Sequence, residues 1–482
     1  MNALNRDLTA LVRHVEREGL ALANADSRRL GYHLMPPVGW MNDPNGLCWY
    51  QGNYHVFFQY SPFNANRGVI FWGHWSSPDL LHWQQLPVFL CPDQPWNVHG
   101  VFSGSALVED DALYLYYTGS VKHMGDYDYI NSGRDSNTAL AITRDGVHAD
   151  SNRLLLTNKD YPADASCHVR DPKVWKQDGK YYMVLGERTT DGVGKVLVYE
   201  SDDKLCWTHI NTLQTPQHFG YMWECPDLFE IDGQTILAVS PQGVAQNKNH
   251  FQNIYSCGYF PLHGDFRSAY TLGAYQEADL GFDYYAPQSF LAPDGRRIVL
   301  GWMGMPDASY KNPTADENGW QHAMTVPREL HWNGRAVTAQ PIRELEQLRR
   351  NRREFSFDGT AHTEYSARAD MEIVNLGTFL RLTLGDDLQI MYADGLLRLH
   401  LCTHSGYGRT MRVAEIGALQ ELRILLDSSS CEIFLNGGEQ VMTTRFYPGI
   451  NRQCTFEGKG LVELYDMGSM EFAYAEEKEE AH

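Results

Sequence analysis

Among the carboxylates that lie at or one residue before an X-Pro pair are those of Asp43-Pro44, Asp171-Pro172 and Glu224-Cys225-Pro226. Gathered around one pocket, they would supply an ionised nucleophile, an acid kept protonated by its surroundings and a third group to hold a sugar. That is the set glycoside hydrolysis requires. Crowding of like charge raises at least one of their pKa values, which serves an acid/base. If the reaction retains configuration, the nucleophile and acid carboxyls stand about 5 to 5.5 Å apart. Taken singly, Asp-Pro is an ordinary turn former. Three carboxyls at nearly one phase of an internal repeat, each inside a dense motif, favour the catalytic reading.

The repeat has a turn followed by an aromatic or aliphatic strand. Its copies begin Gln51-Gly52-Asn53-Tyr54, Asp111-Ala112-Leu113-Tyr114, Asp178-Gly179-Lys180-Tyr181, Asp232-Gly233-Gln234-Thr235 and Asp294-Gly295-Arg296-Arg297, at spacings of 54 to 67 residues. A second short strand precedes each copy by about nine residues. Repeats of this length with several strands predict β-propeller blades, and five copies predict five blades. The inner strands of a propeller line its central channel, so the starts of these strands converge at one mouth. Asp43-Pro44, Asp171-Pro172, Cys225-Pro226 and Ala286-Pro287 share this phase, which places Glu224 one residue out of step. In a regular strand that offset turns a side chain to the opposite face. An irregular backbone is therefore required, and a proline near the strand entry permits one.

The fold class expected is all-β: a five-bladed β-propeller followed by a C-terminal β-sandwich, with an N-terminal helix. Leu4, Leu8, Leu11, Val12 and Val15 recur at helical spacing over residues 1–27, predicting an amphipathic helix that packs on the body or supports a homodimer. Residues 28–340 form the propeller. The segment 341–352 reads as a linker helix with Pro341 in its first turn. Residues 353–482 hold alternating stretches such as Phe379 to Leu384 and Leu397 to Leu401, the pattern of half-buried antiparallel strands in a sandwich. Glu476 to Glu480 reads as a solvated acidic tail.

The chain has 482 residues, 43% of them hydrophobic, and a formal net charge of −20. A sizeable core follows. The charge disfavours nucleic acid or an anionic membrane as partner and points to a small ligand, either neutral or anionic and held by a few local cations. The nine cysteines are scattered without a C-x-x-C pair and read as reduced, mostly buried thiols. The charged N-terminus lacks the apolar stretch of a signal peptide, and no run approaches the roughly 20 apolar residues of a membrane span, so a cytoplasmic protein is expected. His33, His55, His74, His82 and His168 show no metal-ligand spacing, and neither metal nor cofactor is expected.

The segments His33-Leu-Met-Pro-Pro-Val-Gly-Trp-Met-Asn-Asp-Pro-Asn-Gly46, Arg170-Asp-Pro-Lys173 and Glu224-Cys-Pro-Asp227 resemble the signatures of glycoside hydrolase family 32, the invertase and β-fructofuranosidase family. The resemblance spans nearly the whole chain and implies the propeller-plus-sandwich architecture. It also implies that Asp43 attacks the anomeric carbon of a fructosyl unit, that Glu224 protonates the leaving oxygen and later activates water, and that Asp171 holds fructose hydroxyls and stabilises the transition state. Further positions matching family contacts to the fructosyl group are Asn42, Gln59, Trp72, Phe102, Ser103, Arg170, Tyr285 and Trp302. Stretches around His168 and Gly220 look most like the bacterial intracellular members that act on phosphorylated sucrose, which implies a cationic pocket near the glucose site. Lys122, His123, Arg188 and Lys311 lie in loops that could line it, although surface cations are usually just solvated. The rival readings are a fructan hydrolase or fructosyltransferase on the same scaffold, and a non-catalytic sugar-binding propeller in which the carboxylates only accept hydroxyl hydrogen bonds. The intact trio of carboxylates speaks against the last.

Overall fold

The computed structural model describes residues 2–474; the acidic segment Glu476 to Glu480 lies outside them. The fold is all-β, with sheets in a propeller-type arrangement, a large sandwich-like C-terminal sheet and one long helix at the N-terminus. Five sheets succeed one another along the chain before the C-terminal sheet, opening with Gly39–Tyr50, Val101–Glu109, Ala165–Gln177, Met222–Ile231 and Tyr285–Leu291. The repeated strand read from the sequence is the second in each: Asn53–Ser61, Ala112–Lys122, Lys180–Thr189, Gln234–Gln242 and Arg297–Trp302. These second strands carry near-continuous apolar runs because neighbouring sheets cover both their faces; every residue of Asn53–Ser61 after the first is buried.

The first and last of the five sheets are tied together by one segment. Trp320–Gln321 pairs in parallel with Gly39 and Trp40, Met324 N–H donates to the Leu34 carbonyl at 2.8 Å, and Thr325 N–H donates to the Gly301 carbonyl at 2.9 Å. The chain's last described strand, Glu471–Ala473, returns to pair with His82 to Gln84 of the first sheet.

The C-terminal sheet has ten strands, with Gln453–Met467 pairing Arg349–Glu364, Ala369–Val374 and Phe379–Leu384. Here alternation holds: the even positions of Phe379–Leu384 are buried and the odd ones half-exposed. The connection to this sheet is shorter than the helix expected over 341–352. Pro341 ends the strand Val337–Pro341, and only Arg343–Leu348 is helical, as a 3-10 turn pinned by buried Leu345 and Leu348. The next strand begins at once at Arg349 and takes up the residues that a longer helix would need.

The helix Ala3–Asn24 starts on Asn2, whose side chain accepts the Asn5 N–H at 2.7 Å. Val12 is fully buried and Leu8 and Val15 pack against the body, but Leu4 and Leu11 are about half exposed, at 52% and 48%. The apolar stripe is wider than the face the body covers. All nine cysteines are free. Among the described residues no helix is long and apolar enough to cross a membrane.

Between the propeller sheets and the C-terminal sheet lies a buried ionic network. Arg328 bonds Glu432 and, at 3.1 Å, Asp279; His33 bridges Asp427 at 2.8 Å and Glu432 at 2.9 Å; Arg409 clamps Asp283 at 2.7 and 2.8 Å. All seven side chains are essentially inaccessible to water. Such a network holds only while every charge has its partner. Glu432→Gln leaves Arg328 with a neutral neighbour on its Glu432 side, and is expected to lower the free energy of unfolding by about 3–5 kcal/mol. The check is a urea titration followed by tryptophan fluorescence; a midpoint equal to the unsubstituted protein's would show that the network does not hold the two parts together.

Candidate active site

Each first strand breaks its pairing at the phase where the sequence placed the functional residues. The register shifts fall between Met41 and Pro44, Phe102 and Gly104, Arg170 and Lys173, Glu224 and Asp227, and Tyr285 and Gln288. Three residues before a proline are left-handed there: Asp171 at φ +65°, Cys225 at +48° and Ala286 at +49°. A residue preceding proline favours extended backbone, and a non-glycine residue in the left-handed region costs on the order of 1–3 kcal/mol. These bulges re-aim the side chains. They remove the one-residue discrepancy: Glu224 and Asp171 reach the same cavity, while Cys225, the repeat equivalent of Asp171, donates its N–H to Asp171 Oδ2 at 2.9 Å.

The first strands are also stitched to one another below the mouth. Gly104 N–H donates to Asn45 Oδ1 and Val174 N–H to Ser105 Oγ. Half-buried Lys173 Nζ lies 3.1 Å from Asp227, which also accepts the Ser289 N–H and hydroxyl. Lys173 and Asp227, members of the motifs that carry Asp171 and Glu224, therefore serve the channel wall.

Asp43 is enclosed by donors. Ser103 Oγ donates to Oδ2 at 2.6 Å, Gln59 Nε2 to Oδ2 at 3.1 Å and Asn42 Nδ2 to Oδ1 at 3.0 Å. Asn42 is itself fixed by Trp40 Nε1 at 2.8 Å and donates to Gln59 Oε1 at 3.0 Å. Burial raises the Asp43 carboxyl above the ordinary aspartate range and the charge of Glu224 adds to this, while Ser103 and Asn42 pull it back down.

Glu224 is held differently. Arg170 donates two N–H groups to Oε1, at 2.7 and 3.1 Å, whereas Tyr285 OH at 2.6 Å and Gln242 Nε2 at 2.7 Å reach Oε2. Arg170 lies 3.9 Å from Asp171, so its short contacts go to Glu224. Glu224 and Asp171 outweigh the burial that opposes the Arg170 charge and hold its pKa above the ordinary guanidinium value. Burial, then Glu224 and Asp43, lift the Asp171 carboxyl to about 7 against the pull of Arg170. The Cys225 sulfur sits between the two aspartates, 3.7 Å from Asp43 Oδ2 and 3.6 Å from Asp171 Oδ2. His168 accepts from Arg170 Nη1 and donates to the Tyr129 carbonyl, each at 2.9 Å; burial and the neighbouring arginines hold it neutral, its pKa lowered to about 3.

These groups line one cavity of about 520 Å³, within the size range of small-molecule sites. Asn42, Asp43, Gln59, Phe102, Arg170, Asp171, Glu224, Tyr285 and Trp302 all face it. Ser103 acts from behind Asp43. Trp72 does not reach the cavity: it is completely buried, its Nε1 donates to the Phe102 carbonyl at 3.1 Å, and it packs on Phe57 and Tyr117. Its strand pairs with Gln59 opposite, but the ring lies in the layer between sheets, where it supports Phe102. Of the four cations considered for the rim, Lys122 lines the cavity. His123 pairs with Asp135, Arg188 lies over the Tyr221 ring, and the Lys311 backbone bonds Tyr407 and Arg409.

Sequence reasoning missed Trp40, Arg67, His99, Arg134, Gln242 and Asp307, which also line the cavity. Trp40 stands inside the quoted opening motif and could have been found there. Gln242 and Arg134 are brought in by strand pairing, for which single residues in a polar turn or strand end give no signal.

Residues 33–341 match the model of the glycosyl hydrolases family 32 N-terminal domain, and residues 395–473 that of the glycosyl hydrolases family 32 C terminal. Over 460 residues the chain is 35% identical to the sucrose-6-phosphate hydrolase of Bacillus subtilis (strain 168), covering 92% of this chain and 94% of that protein. The structure of sucrose-6-phosphate hydrolase from Lactobacillus gasseri superposes with a TM-score of 0.87 at 29% identity, covering 95% of this chain and 97% of the other. A Bombyx mori GH32 beta-fructofuranosidase superposes with a TM-score of 0.85 at 30% identity, over 98% of this chain and all of that one. With both family models matched and full-length relatives of this similarity, the chain belongs to glycosyl hydrolase family 32.

Proposed function

We propose that this chain hydrolyses the β-fructofuranosidic bond of sucrose 6-phosphate or sucrose with retention of configuration, releasing fructose. The observation that carries the reading is the pair of contrasting carboxylates in one cavity: Asp43 ringed by neutral donors, and Glu224 tied to Arg170, Tyr285 and Gln242. Neutral donors favour an anion without neutralising it, which suits a nucleophile. The Asp43 carboxylate attacks the anomeric carbon of the fructosyl unit as the bond to the leaving oxygen breaks, and Glu224 delivers its proton to that oxygen. Two Arg170 N–H groups occupy Oε1, so the proton is carried on Oε2, where the Tyr285 hydroxyl can turn to accept it. Water then enters, Glu224 takes its proton, and the resulting hydroxide displaces Asp43 from the fructosyl carbon. Asp171 holds fructose hydroxyls, in either protonation state a hydrogen-bonding group near neutral pH.

The same reading takes the five successive sheets as five blades, spanning about 28–340, and the C-terminal strands from about 353 as a sandwich that supports them. Nine free cysteines support a reducing, cytoplasmic setting.

Asp43→Asn is expected to reduce fructose release from sucrose by about four orders of magnitude or more while the unfolding midpoint stays within error; near-normal turnover would remove Asp43 from the nucleophile role. Glu224→Gln should lose most activity on sucrose and far less on a fructoside with a good leaving group, because acid assistance then matters less. Equal losses on both substrates would count against the acid/base role. Ser103→Ala removes a hydrogen bond that lowers the Asp43 pKa. The acid limb of the kcat/KM–pH profile should therefore move to higher pH, by about one unit; an unmoved limb would show that Asp43 ionisation does not set it. Retention is tested by turnover in methanol–water, where methyl β-fructofuranoside is the expected transfer product.

A further inference from the structure

Two carboxylates stand within reach of Arg170, and its N–H groups serve one of them. Nε and Nη2 donate to Glu224 Oε1 at 3.1 and 2.7 Å, while Asp171 Oδ2 lies 3.9 Å from Nε. The remaining amino group, Nη1, donates to His168 Nδ1 at 2.9 Å, and His168 is not among the residues that line the cavity. The two partners of this imidazole fix its state. A guanidinium can only donate and a carbonyl can only accept, so Nδ1 offers its lone pair to Arg170 and Nε2 carries the proton that goes to the Tyr129 carbonyl at 2.9 Å. Arg134 Nη1 approaches the same Nδ1 at 3.4 Å. A proton on Nδ1 would face both guanidinium groups, and burial together with the charges of Arg170 and Arg134 keeps it off. The ring is itself anchored from outside the cavity. Tyr129 sits at φ +54° in a turn where Asp128 Oδ1 accepts the N–H groups of Ile130, Asn131 and Ser132 at 2.9 to 3.1 Å, and Cys167 N–H ties that turn to the strand of His168 by donating to the Ile130 carbonyl at 2.7 Å.

We propose that His168 is a positioning residue for the acid/base: its Nδ1 lone pair holds the Arg170 guanidinium in the orientation that donates twice to Glu224 and away from Asp171. This rests on the hydrolase reading and deepens it. A neutral acceptor suits the task. A carboxylate at this place would compete with Glu224 for the charge of Arg170, and an apolar side chain would leave Nη1 without a partner and the guanidinium free to turn toward Asp171. Histidine supplies an acceptor without a charge, and the Tyr129 carbonyl prevents the ring from presenting its N–H to Arg170 instead.

The test compares His168→Leu, His168→Asn and His168→Asp with the unsubstituted protein, by kcat/KM on sucrose and on p-nitrophenyl β-fructofuranoside, whose leaving group needs little acid assistance. His168→Leu is expected to lose about tenfold to a hundredfold on sucrose and no more than about threefold on the nitrophenyl fructoside. Asparagine carries a neutral acceptor on the same branch of the side chain as Nδ1, so His168→Asn should stay within about threefold of the unsubstituted protein on both substrates. His168→Asp should show the sucrose-specific loss of the leucine variant. A leucine variant that loses the same factor on both substrates, or nothing on either, overturns the positioning role. If the urea midpoint shows that His168→Leu does not fold, the asparagine and aspartate variants decide, since they differ in charge at nearly equal size: a sucrose-specific loss in aspartate alone supports the role, and equal rates overturn it. If the unsubstituted protein releases fructose from neither compound, the hydrolase reading fails and the role of His168 fails with it.

Discussion

The site depends on the point at which the first strand of each sheet leaves regular antiparallel pairing. Straight strands would alternate their side chains and send Glu224 and Asp171 to opposite faces. A bulge closing on a proline, with the preceding residue left-handed, turns both into the cavity. That backbone is unfavourable taken alone, and it persists because neighbouring strands over-determine it. Thr118 Oγ1 accepts the Asp171 N–H, Gln288 holds the Cys225 carbonyl, and the Lys173–Asp227–Ser289 contacts lock the strands just below. Strain at the mouth and rigidity beneath it are two parts of one arrangement.

Once the carboxylates converge, electrostatics sets what each can do. Burial and the charge of Glu224 raise the pKa of both Asp43 and Asp171, and the surroundings distinguish the three carboxylates. Asp43 is stabilised by neutral dipoles that leave its charge available. Glu224 has a cation on one oxygen and a hydroxyl and an amide on the other. Asp171, with Arg170 at the longer distance of 3.9 Å, is the one raised to about 7. The same cavity is also lined by Arg67, Lys122 and Arg134, none of which has a carboxylate partner among the described residues.

The C-terminal sheet contributes nothing to the cavity lining, but it is not a loosely attached neighbour. His33, in the first motif, and Arg328, in the fifth sheet, place their charges on carboxylates of that sheet, and the chain's last described strand pairs with the first sheet. Closure of the propeller sheets and attachment of the C-terminal sheet are coupled through these contacts.

The sequence by itself determined the strands and most of the polar residues that meet in the cavity. Turn chemistry and apolar runs recur in each repeat because every sheet solves the same burial problem, and the dense motifs around Asp43, Asp171 and Glu224 are local in sequence because one strand carries each. It did not determine the backbone that lets Glu224 join the others, since proline permits a bulge without requiring it. It misplaced Trp72, because an aromatic in a strand beside the site faces either the cavity or the layer between sheets, and only packing selects the face. Of the cavity's cations, Lys122 was one of four loop residues considered, but Arg67 and Arg134 were beyond it, each indistinguishable in the sequence from a solvated surface residue. Strand register and sheet closure brought them together, because charge at a distance in sequence acquires meaning only through separation in space.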